Sequence, residues 1–420
     1  MSTSLPAPEL TLDADHNDHG GDGSRADGDQ PGGEGRELGG GGQGDEAQAG
    51  AQGQQGEAPS AAQVEHDVGQ GESQREGQHL AQPGNAPRKA TVVVSQPHHD
   101  DDSDDEKPKS EDGDAENGDF LEDFPDDTPE LELVHCRLSS TSTLHLPRFA
   151  PYLKRLCLRQ NHLTTLDPAD WESLAELEEL DLYDNQLKHV GDVLRNMTKL
   201  ESLDFSFNLF RSVPASLSPL TALRSIYFVQ NKIARIDHLS TFTSLKTLEL
   251  GGNRIRKIEN LDGLVSLEEL WLGKNKISKL ENLEALKRLR ILSIQSNRIT
   301  KLEGLDELES LEEFYISHNG IERIEGLDHN LKLRTLDVGA NRITVLENIA
   351  HLSALEELWA NNNQIPDLSG LGPQCGNLKS LETIYFEHNP AQQSDMANYR
   401  RKVILALPQV RQIDATYVRS

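Results

Sequence analysis

Apolar and polar residues follow a fixed period of 22 residues through much of this chain. An asparagine recurs at that interval, at Asn231, Asn253, Asn275, Asn297, Asn319, Asn341 and Asn363. Apolar residues hold the same positions around each asparagine, and in one unit these are Ile255, Ile258, Leu261, Leu264, Leu267, Leu270 and Leu272. Such self-similarity predicts stacked repeats, because no single unit can bury its apolar face alone.

The repeats extend beyond this regular block on both sides. Further asparagines stand at Asn161, Asn185, Asn208 and Asn389, and Cys136 fills the equivalent position in a first, degenerate unit. Eleven asparagines and Cys136 together give twelve units. The pattern L-x-x-L-x-L-x-x-N-x-L predicts an α/β leucine-rich-repeat solenoid, with a parallel β-sheet on its concave face and short helices or turns on its convex face.

Most positions of each unit are predicted to be structural. The two leucines of the L-x-L segment point inward from a short strand, and the residue between them points the other way. The asparagine amide carries donors and acceptors, so at the bend after the strand it can satisfy backbone groups of its own unit and of the adjacent one. We therefore interpret the asparagines as scaffold residues rather than as ligand-binding residues.

The N-terminal segment differs in composition from the repeats. Residues 1–128 are rich in Gly, Gln, Asp and Glu and contain 31 acidic and 7 basic residues. A segment with few aliphatic residues buries too little apolar surface to offset its conformational entropy, so it is predicted to be a disordered acidic tail. At its end, Phe120, Leu121 and Phe124 predict a lead-in to the repeats.

The repeats are predicted to occupy residues 129–390, followed by a C-terminal cap over residues 391–420. A longer spacing before Asn389 predicts a loop-rich insertion around residues 369–376. In the cap, Tyr399, Val403 and Leu407 lie at helical spacing on one face. A terminal unit of this kind covers the open apolar end of a repeat array.

Charge and motifs exclude several function classes. The formal net charge of -29 argues against nucleic acid as a partner. No apolar stretch has membrane-spanning length, and no secretory leader is expected. The cysteines Cys136, Cys157 and Cys375 are too few and too scattered for a disulfide framework. Motifs for nucleotide binding, serine hydrolysis and zinc proteolysis are absent, so we expect no enzyme, no catalytic residues, no metal and no cofactor.

The residue between the inward leucines is the one that the scaffold leaves free. We call these residues the concave row: Cys157, Asp181, Asp204, Tyr227, Glu249, Trp271, Ser293, Tyr315, Asp337, Trp359 and Tyr385. Two residues earlier, a neighbouring row adds Glu179, Glu269, Glu313 and Glu357. Aromatic residues also favour strands for structural reasons alone. Exposed Trp and Tyr interleaved with acids are nevertheless typical of protein-binding surfaces, which is the function we predict for this row.

Four segments resemble a known family. They are LCLRQNH at 156–162, LDLYDNQLK at 180–188, SIQSNRITKLEGLD at 293–306 and YRRKVILALPQVRQIDATYVR at 399–419. They resemble the leucine-rich-repeat regulatory subunits of protein phosphatase 1, the regulatory subunit 7 family. The resemblance covers residues 129–420, and the acidic tail is unlike the family in length and content.

The resemblance implies a non-catalytic subunit, in the nucleus and cytoplasm, whose concave face binds the phosphatase catalytic subunit. It leaves open a ternary complex with inhibitor-3, and it implies no nucleic-acid or membrane partner. Carried over by position, it implies eight contact residues: Asp204, Tyr227, Glu249, Trp271, Asp337, Glu357, Trp359 and Tyr385. At positions 227 and 271 the family has phenylalanine, so only the aromatic character is shared there.

A phosphatase-docking string also occurs, but its context argues against its use. Regulators of protein phosphatase 1 often dock by a basic residue, then Val or Ile, any residue, and Phe or Trp, and Arg224–Phe228 fits this string. Ile226 and Phe228 are inward positions of a repeat. We therefore predict that both are buried and that the match is a coincidence.

A second function class stays open on the same fold. A structural scaffold for cytoskeletal or ciliary assembly would use the same repeats, and it would co-purify with tubulin or axonemal proteins rather than with a phosphatase.

Overall fold

The computed structural model describes residues 89–91 and 121–418. The chain divides into units Met1–Val68 and Gly69–Ser420, and all described residues belong to the second. Most of the predicted acidic tail, including Phe120, thus lies outside the described residues. Leu121 is fully buried and Phe124 packs against the core, so the predicted lead-in is confirmed for these two residues.

The described residues form one sheet of short strands in sequence order. The strands are β1 Lys89–Thr91, β2 Glu130–Glu132, β3 Arg155–Cys157, β4 Glu179–Asp181, β5 Ser202–Asp204, β6 Ser225–Tyr227, β7 Thr247–Glu249, β8 Glu269–Trp271, β9 Ile291–Ser293, β10 Glu313–Tyr315, β11 Thr335–Asp337, β12 Glu357–Trp359, β13 Thr383–Tyr385, β14 Gln412–Ile413 and β15 Thr416–Tyr417. All neighbouring pairs are parallel except β14 with β15, which is antiparallel. Strands β2–β13 match the twelve predicted units and confirm the leucine-rich-repeat solenoid.

The connections between strands consist mostly of turns, with a few short helices. The α-helices are α1 Pro168–Trp171, α2 Leu371–Cys375, α3 Pro390–Gln393 and α4 Tyr399–Ala406, and 3-10 turns cover Ser142–Leu144, Leu146–Phe149 and Ala215–Leu217. The predicted loop-rich insertion is wrong for the residues of α2. Leu371 and Cys375 are fully buried one helical turn apart, so their packing overrides the Gly and Pro composition.

Strand β1 is also a departure from the sequence prediction. It lies within the segment predicted to be disordered, yet its backbone pairs in parallel with β2, with Ala90 opposite Leu131. The first repeat strand, β2, would otherwise have an unpaired edge on that side, and an unpaired edge readily accepts a further strand. Apart from β1 and residues 121–128, the predicted disorder of the tail concerns residues outside those described.

Each strand places its middle residue in the core and its outer two residues on the opposite face. In β8, Leu270 is fully buried while Glu269 and Trp271 are half-buried. Leu270 pairs in register with Leu248 and Leu292 on the adjacent strands. The shared register keeps every concave-row residue next to its counterpart in the neighbouring repeat, which fixes the row as one continuous surface.

The repeat asparagines form a hydrogen-bonded ladder along one side of this core. Asn275 donates from Nδ2 to the carbonyls of Leu250 at 2.9 Å and Leu272 at 3.0 Å, and its Oδ1 accepts the N–H of Ile255 at 3.0 Å. Asn253 repeats these contacts one unit earlier. The amide therefore joins its own repeat to the previous one, as predicted. In the first unit, the Cys136 thiol lies 3.6 Å from the carbonyl of Val134 and takes over only a small part of this role.

The C-terminal segment adds a helix and two strands to the end of the array. Tyr399 and Val403 are buried on one face of α4, and Leu407, the residue that follows the helix, is buried as well. Strands β14 and β15 continue the sheet past β13. Asp414 accepts the backbone N–H groups of Phe386 and Glu387 at 2.9 and 3.1 Å, so the cap supplies acceptors where the next repeat would stand. Among the described residues, no helix is both long enough and apolar enough to cross a membrane.

Candidate partner-binding surface

The concave row crosses strands β3–β13 on the face opposite the core. Register places its members side by side: Asp204, Tyr227, Glu249, Trp271, Ser293, Tyr315, Asp337, Trp359 and Tyr385 occupy successive strands. Glu357, the first residue of β12, lies on the same face because it stands two positions before Trp359. All eight predicted contact residues therefore share one face of the sheet.

The first part of the row is acidic. Asp181, Asp204 and Glu249 stand on β4, β5 and β7. Among the described residues, Arg159 is the one basic side chain that forms an ion pair with any of them, at 3.3 Å from Asp181. Burial, with a smaller contribution from Asp204, raises the pKa of Asp181 to about 6. Burial, together with the charges of Asp204 and Glu269, raises the pKa of Glu249 to about 7. Asp204 and Glu249 form no ion pair within the described part of the chain, so this part of the row has an excess of acidic groups.

The second part of the row is an aromatic block. The ring centroids of Trp271 and Tyr315 are 6.5 Å apart, those of Tyr315 and Trp359 are 6.2 Å apart, and those of Trp359 and Tyr385 are 5.6 Å apart. Trp271, Tyr315 and Trp359 stand on β8, β10 and β12. Each is two strands from the next, which in a parallel sheet means a separation of roughly 9–10 Å. Their rings must therefore lean toward each other across the strand between them.

This leaning covers the small residues between the aromatic ones. Ser293, between Trp271 and Tyr315, and Asp337, between Tyr315 and Trp359, are each only 3 % exposed. Asp337 accepts the N–H of Gly339 at 3.0 Å, and burial raises the pKa of its carboxyl group. Of the eight predicted contact residues, Asp337 is the one that the free protein keeps buried, so it supports the floor of the surface unless the rings above it move.

Acids of the neighbouring row orient two of these aromatic side chains. The Tyr315 hydroxyl donates to Glu313 at 2.8 Å, and the Trp359 indole N–H donates to Glu357 at 3.0 Å. Glu357, predicted as a contact residue, therefore also holds Trp359 in place. Side chains fixed in this way lose less conformational freedom when a partner binds.

Sequence reasoning left Tyr315 and Asp181 out of the contact set, although the structure places both in the surface. Tyr315 is the ring that links Trp271 to Trp359, and Asp181 joins Asp204 in the acidic part. Both residues belong to the concave row, which is the sequence signal for them. The eight contact residues that the resemblance implies do not include them.

Among the described residues, few groups are suited to metal binding or to catalysis. They contain no group of three or more His, Cys, Asp or Glu side chains able to hold a metal ion. Burial raises the pKa of the thiols of Cys157 and Cys375 to about 12, so neither is a reactive thiolate. Ile226 and Phe228 are fully buried, which confirms that the docking string at 224–228 is inaccessible as a linear motif.

Family models match the last eight of the twelve repeats and the C-terminal segment. The model described as "Leucine Rich repeats (2 copies)" matches residues 221–263, 243–285 and 265–307. The model described as "Leucine-rich repeat" matches residues 306–420. These matches agree with strands β6–β13 and with the cap.

Curated relatives match over shorter stretches. The protein phosphatase 1 regulatory subunit SDS22 of Saccharomyces cerevisiae is 47% identical over 104 residues, which is 23% of this chain and 30% of the relative. The mouse protein phosphatase 1 regulatory subunit 7 is 68% identical over 41 residues, which is 10% of this chain and 11% of the relative. The matched stretches thus span less than a third of the length of either relative.

Solved structures agree on the fold. A leucine-rich-repeat protein of Leptospira interrogans superposes with a TM-score of 0.55 at 24% identity, covering 68% of this chain and 84% of the other. An internalin of Listeria monocytogenes superposes with a TM-score of 0.55 at 23% identity, covering 68% and 86%. At this level of identity the comparison supports the architecture alone.

Proposed function

We propose that this chain, a leucine-rich-repeat protein related in sequence to regulatory subunit 7 of protein phosphatase 1, binds the catalytic subunit of that phosphatase through its concave row. It acts without catalysis of its own and controls the activity, assembly or location of the enzyme. The relatives that match it carry regulatory-subunit names, and this supports the choice of partner.

One observation carries the choice of surface. The concave row presents an acidic part and an aromatic block side by side, and the scaffold requires neither. In β8 and β12 only the middle leucine is in the core. Trp271 and Trp359 are half-buried on the opposite face, where the scaffold does not require a large side chain. Trp and Tyr are the residue types that most often dominate binding energy at protein interfaces.

The electrostatics specify the complementary surface. Among the described residues, no basic side chain forms an ion pair with Asp204 or Glu249, and burial raises the pKa of both carboxyl groups. The partner should therefore place lysine or arginine against Asp204 and Glu249. An apolar surface should face Trp271 and Trp359.

Direct measurement of binding tests the proposal. The purified full-length chain is titrated with the catalytic subunit of protein phosphatase 1 by isothermal titration calorimetry, and phosphatase activity is followed in parallel. Saturable one-to-one binding, with no hydrolase activity in the chain alone, is the expected result. An absence of binding, together with co-sedimentation with microtubules, would instead support the scaffold function.

Glu249 makes the predicted binding depend on pH. Because a cation binds the ionised carboxylate, affinity should rise as the pH passes through about 7, the pKa of Glu249 in the free protein. Between pH 6 and pH 8 the gain in affinity should approach tenfold, since each pH unit below the pKa lowers the ionised fraction of the carboxyl group about tenfold. Titration calorimetry at several pH values measures it.

The Glu249→Gln variant separates this effect from the titration of the partner. The variant should bind more weakly at pH 8 and should lose most of the pH dependence of binding. In the natural chain without its partner, the free energy of unfolding should fall as the pH rises, whereas the binding affinity should increase. The pKa of Glu249 is raised by folding, so its ionisation lowers the free energy of unfolding as the pH rises from about 4.5 to 7. If binding depended on pH equally in the natural chain and in Glu249→Gln, Glu249 would be ruled out as the cation site.

A further inference from the structure

Two aromatic side chains lie together on the loops that follow β4 and β5, beside the acidic part of the concave row. The ring centroids of Tyr183 and Phe207 are 4.8 Å apart, at an interplanar angle of 46°. The Arg159 guanidinium lies over the Tyr183 ring, 4.2 Å from its centroid. Phe207 is 41% exposed. We call Arg159, Tyr183 and Phe207 the aromatic shelf.

Phe207 occupies a backbone position that the fold assigns to other residue types. Its φ is 53°, in the left-handed region. The equivalent residues of the other repeats also follow their strands by three positions, and they are polar or small: His135, Gln160, Asp184, Gln230, Gly252, Lys274, Ser296, His318, Ala340, Asn362 and His388. All but Gly252 are non-glycine residues with positive φ, like Phe207. A large aromatic residue is disfavoured in this conformation, and Asn or Gly is favoured. The scaffold therefore does not account for phenylalanine here.

Acidic residues flank the shelf along the chain and on the adjacent strands. Asp184 holds the same position as Phe207 one repeat earlier, and Asp204 lies three residues before Phe207 on β5. Asp181 forms its ion pair with Arg159 at 3.3 Å. Among the described residues, no basic side chain forms an ion pair with Asp184 or Asp204. Three carboxyl groups thus accompany one guanidinium, which is paired with Asp181, and this excess of negative charge is complementary to a basic segment.

We propose that the aromatic shelf extends the binding surface around the edge of the sheet and receives a basic segment of the partner. An apolar side chain of that segment packs on Phe207, and a lysine or arginine lies against Asp184 and Asp204. The inference rests on the proposed function, since the partner is the phosphatase catalytic subunit. Asp204 belongs to both the concave row and the surroundings of the shelf, so the two surfaces are continuous.

The Phe207→Asn variant gives opposite results for stability and for binding. Asparagine suits the left-handed backbone, so the midpoint of thermal unfolding should stay the same or rise by a degree or more. The dissociation constant for the phosphatase catalytic subunit should increase at least about tenfold, because an exposed aromatic anchor is removed. A purely structural role for the ring would instead lower the unfolding midpoint and leave binding unchanged.

Two further variants complete the test. Ser296→Asn, at the same backbone position after β9, is the matched control and should bind like the natural chain. Asp184→Asn keeps a residue suited to its positive φ, so the fold is retained, and it should weaken binding and reduce its dependence on salt concentration.

The outcomes separate the two proposals. If the natural chain does not bind the catalytic subunit, both proposals fall. If the natural chain binds and Trp359→Ala loses binding, while Phe207→Asn and Asp184→Asn both retain it, the shelf is overturned and the proposed function stands. If Phe207→Asn proves less stable than expected, Asp184→Asn decides by itself.

Discussion

Replacing both Trp271 and Trp359 with alanine should weaken binding of the phosphatase catalytic subunit by several hundredfold. Truncation of a central aromatic anchor typically costs about 2 kcal/mol, and two independent losses would amount to about 4 kcal/mol, or about a thousandfold. Both rings contact Tyr315, so the losses are coupled. Titration calorimetry on both single variants and on the double variant measures the coupling as well as the total.

The coupling has an expected sign. Once Trp271 is removed, Tyr315 loses one of its two ring partners and becomes freer to reorient, so the second truncation should cost less than it does in the natural chain. The sum of the single effects should therefore exceed the effect of the double variant. Strict additivity would mean that the aromatic block does not act as a unit.

Control variants distinguish loss of the surface from loss of the fold. Tyr152→Ala removes an aromatic side chain that is 52% exposed and outside the concave row, and it should leave binding unchanged. Trp271→Phe keeps an aromatic ring at a position where the resembled family has phenylalanine, so it should retain most of the affinity. Unchanged binding in Trp271→Ala and Trp359→Ala, with the unfolding midpoint intact, would exclude the aromatic block as the site.

Replacing Asn275 with alanine should lower the free energy of unfolding by about 3 kcal/mol. The Ile255 N–H loses its acceptor, and the carbonyls of Leu250 and Leu272 each lose a donor. Each buried polar group left without a partner costs about 1–3 kcal/mol, and some carbonyls keep a second donor. Urea unfolding followed by circular dichroism measures the change.

The position of Asn275 in the array adds a second expected effect. Repeat arrays owe their cooperativity to the interfaces between neighbours, and Asn275 joins its own repeat to the previous one. The variant should therefore unfold over a broader range of urea concentration than the natural chain. The exposed neighbour Ser278 supplies the control, because Ser278→Ala should change stability by less than about 0.5 kcal/mol. A loss of under about 1 kcal/mol in Asn275→Ala would contradict the ladder as a major source of stability.

Periodicity determined the architecture of this protein. The 22-residue spacing located the strands, the buried leucines and the asparagine ladder, because every repeat must solve the same packing problem with the same residues. The cap was equally predictable, since the open end of a repeat array needs a cover and Tyr399, Val403 and Leu407 share a helical face. The residues of the concave row could be named for the same reason, since alternation along a strand fixes which side chains face away from the core.

Where periodicity failed, local packing overrode composition. Gly and Pro in residues 369–376 suggested a loop, but the burial of Leu371 and Cys375 stabilises a helix there. The structure also contains a second, incomplete asparagine ladder that the sequence pattern did not predict. Asn260, Asn282 and Asn348 donate to carbonyls of the preceding repeat at 2.6–2.8 Å, while other repeats have His or Gly at that position. Its irregular residue types hid its regular backbone geometry.

What each concave-row residue does was decided only by the tertiary structure. Sequence places Asp337 and Glu249 in equivalent positions between two aromatic residues. The rings meet above Asp337 and bury it, whereas Glu249 stays half-exposed with its pKa raised to about 7. The orientation of the rings and the desolvation of the acidic groups depend on side chains from repeats 22 or 44 residues away in the chain. Periodicity specifies the position of those side chains but not their conformation. The sequence thus determined which residues lie in the row, and three-dimensional packing determined which of them a partner can reach.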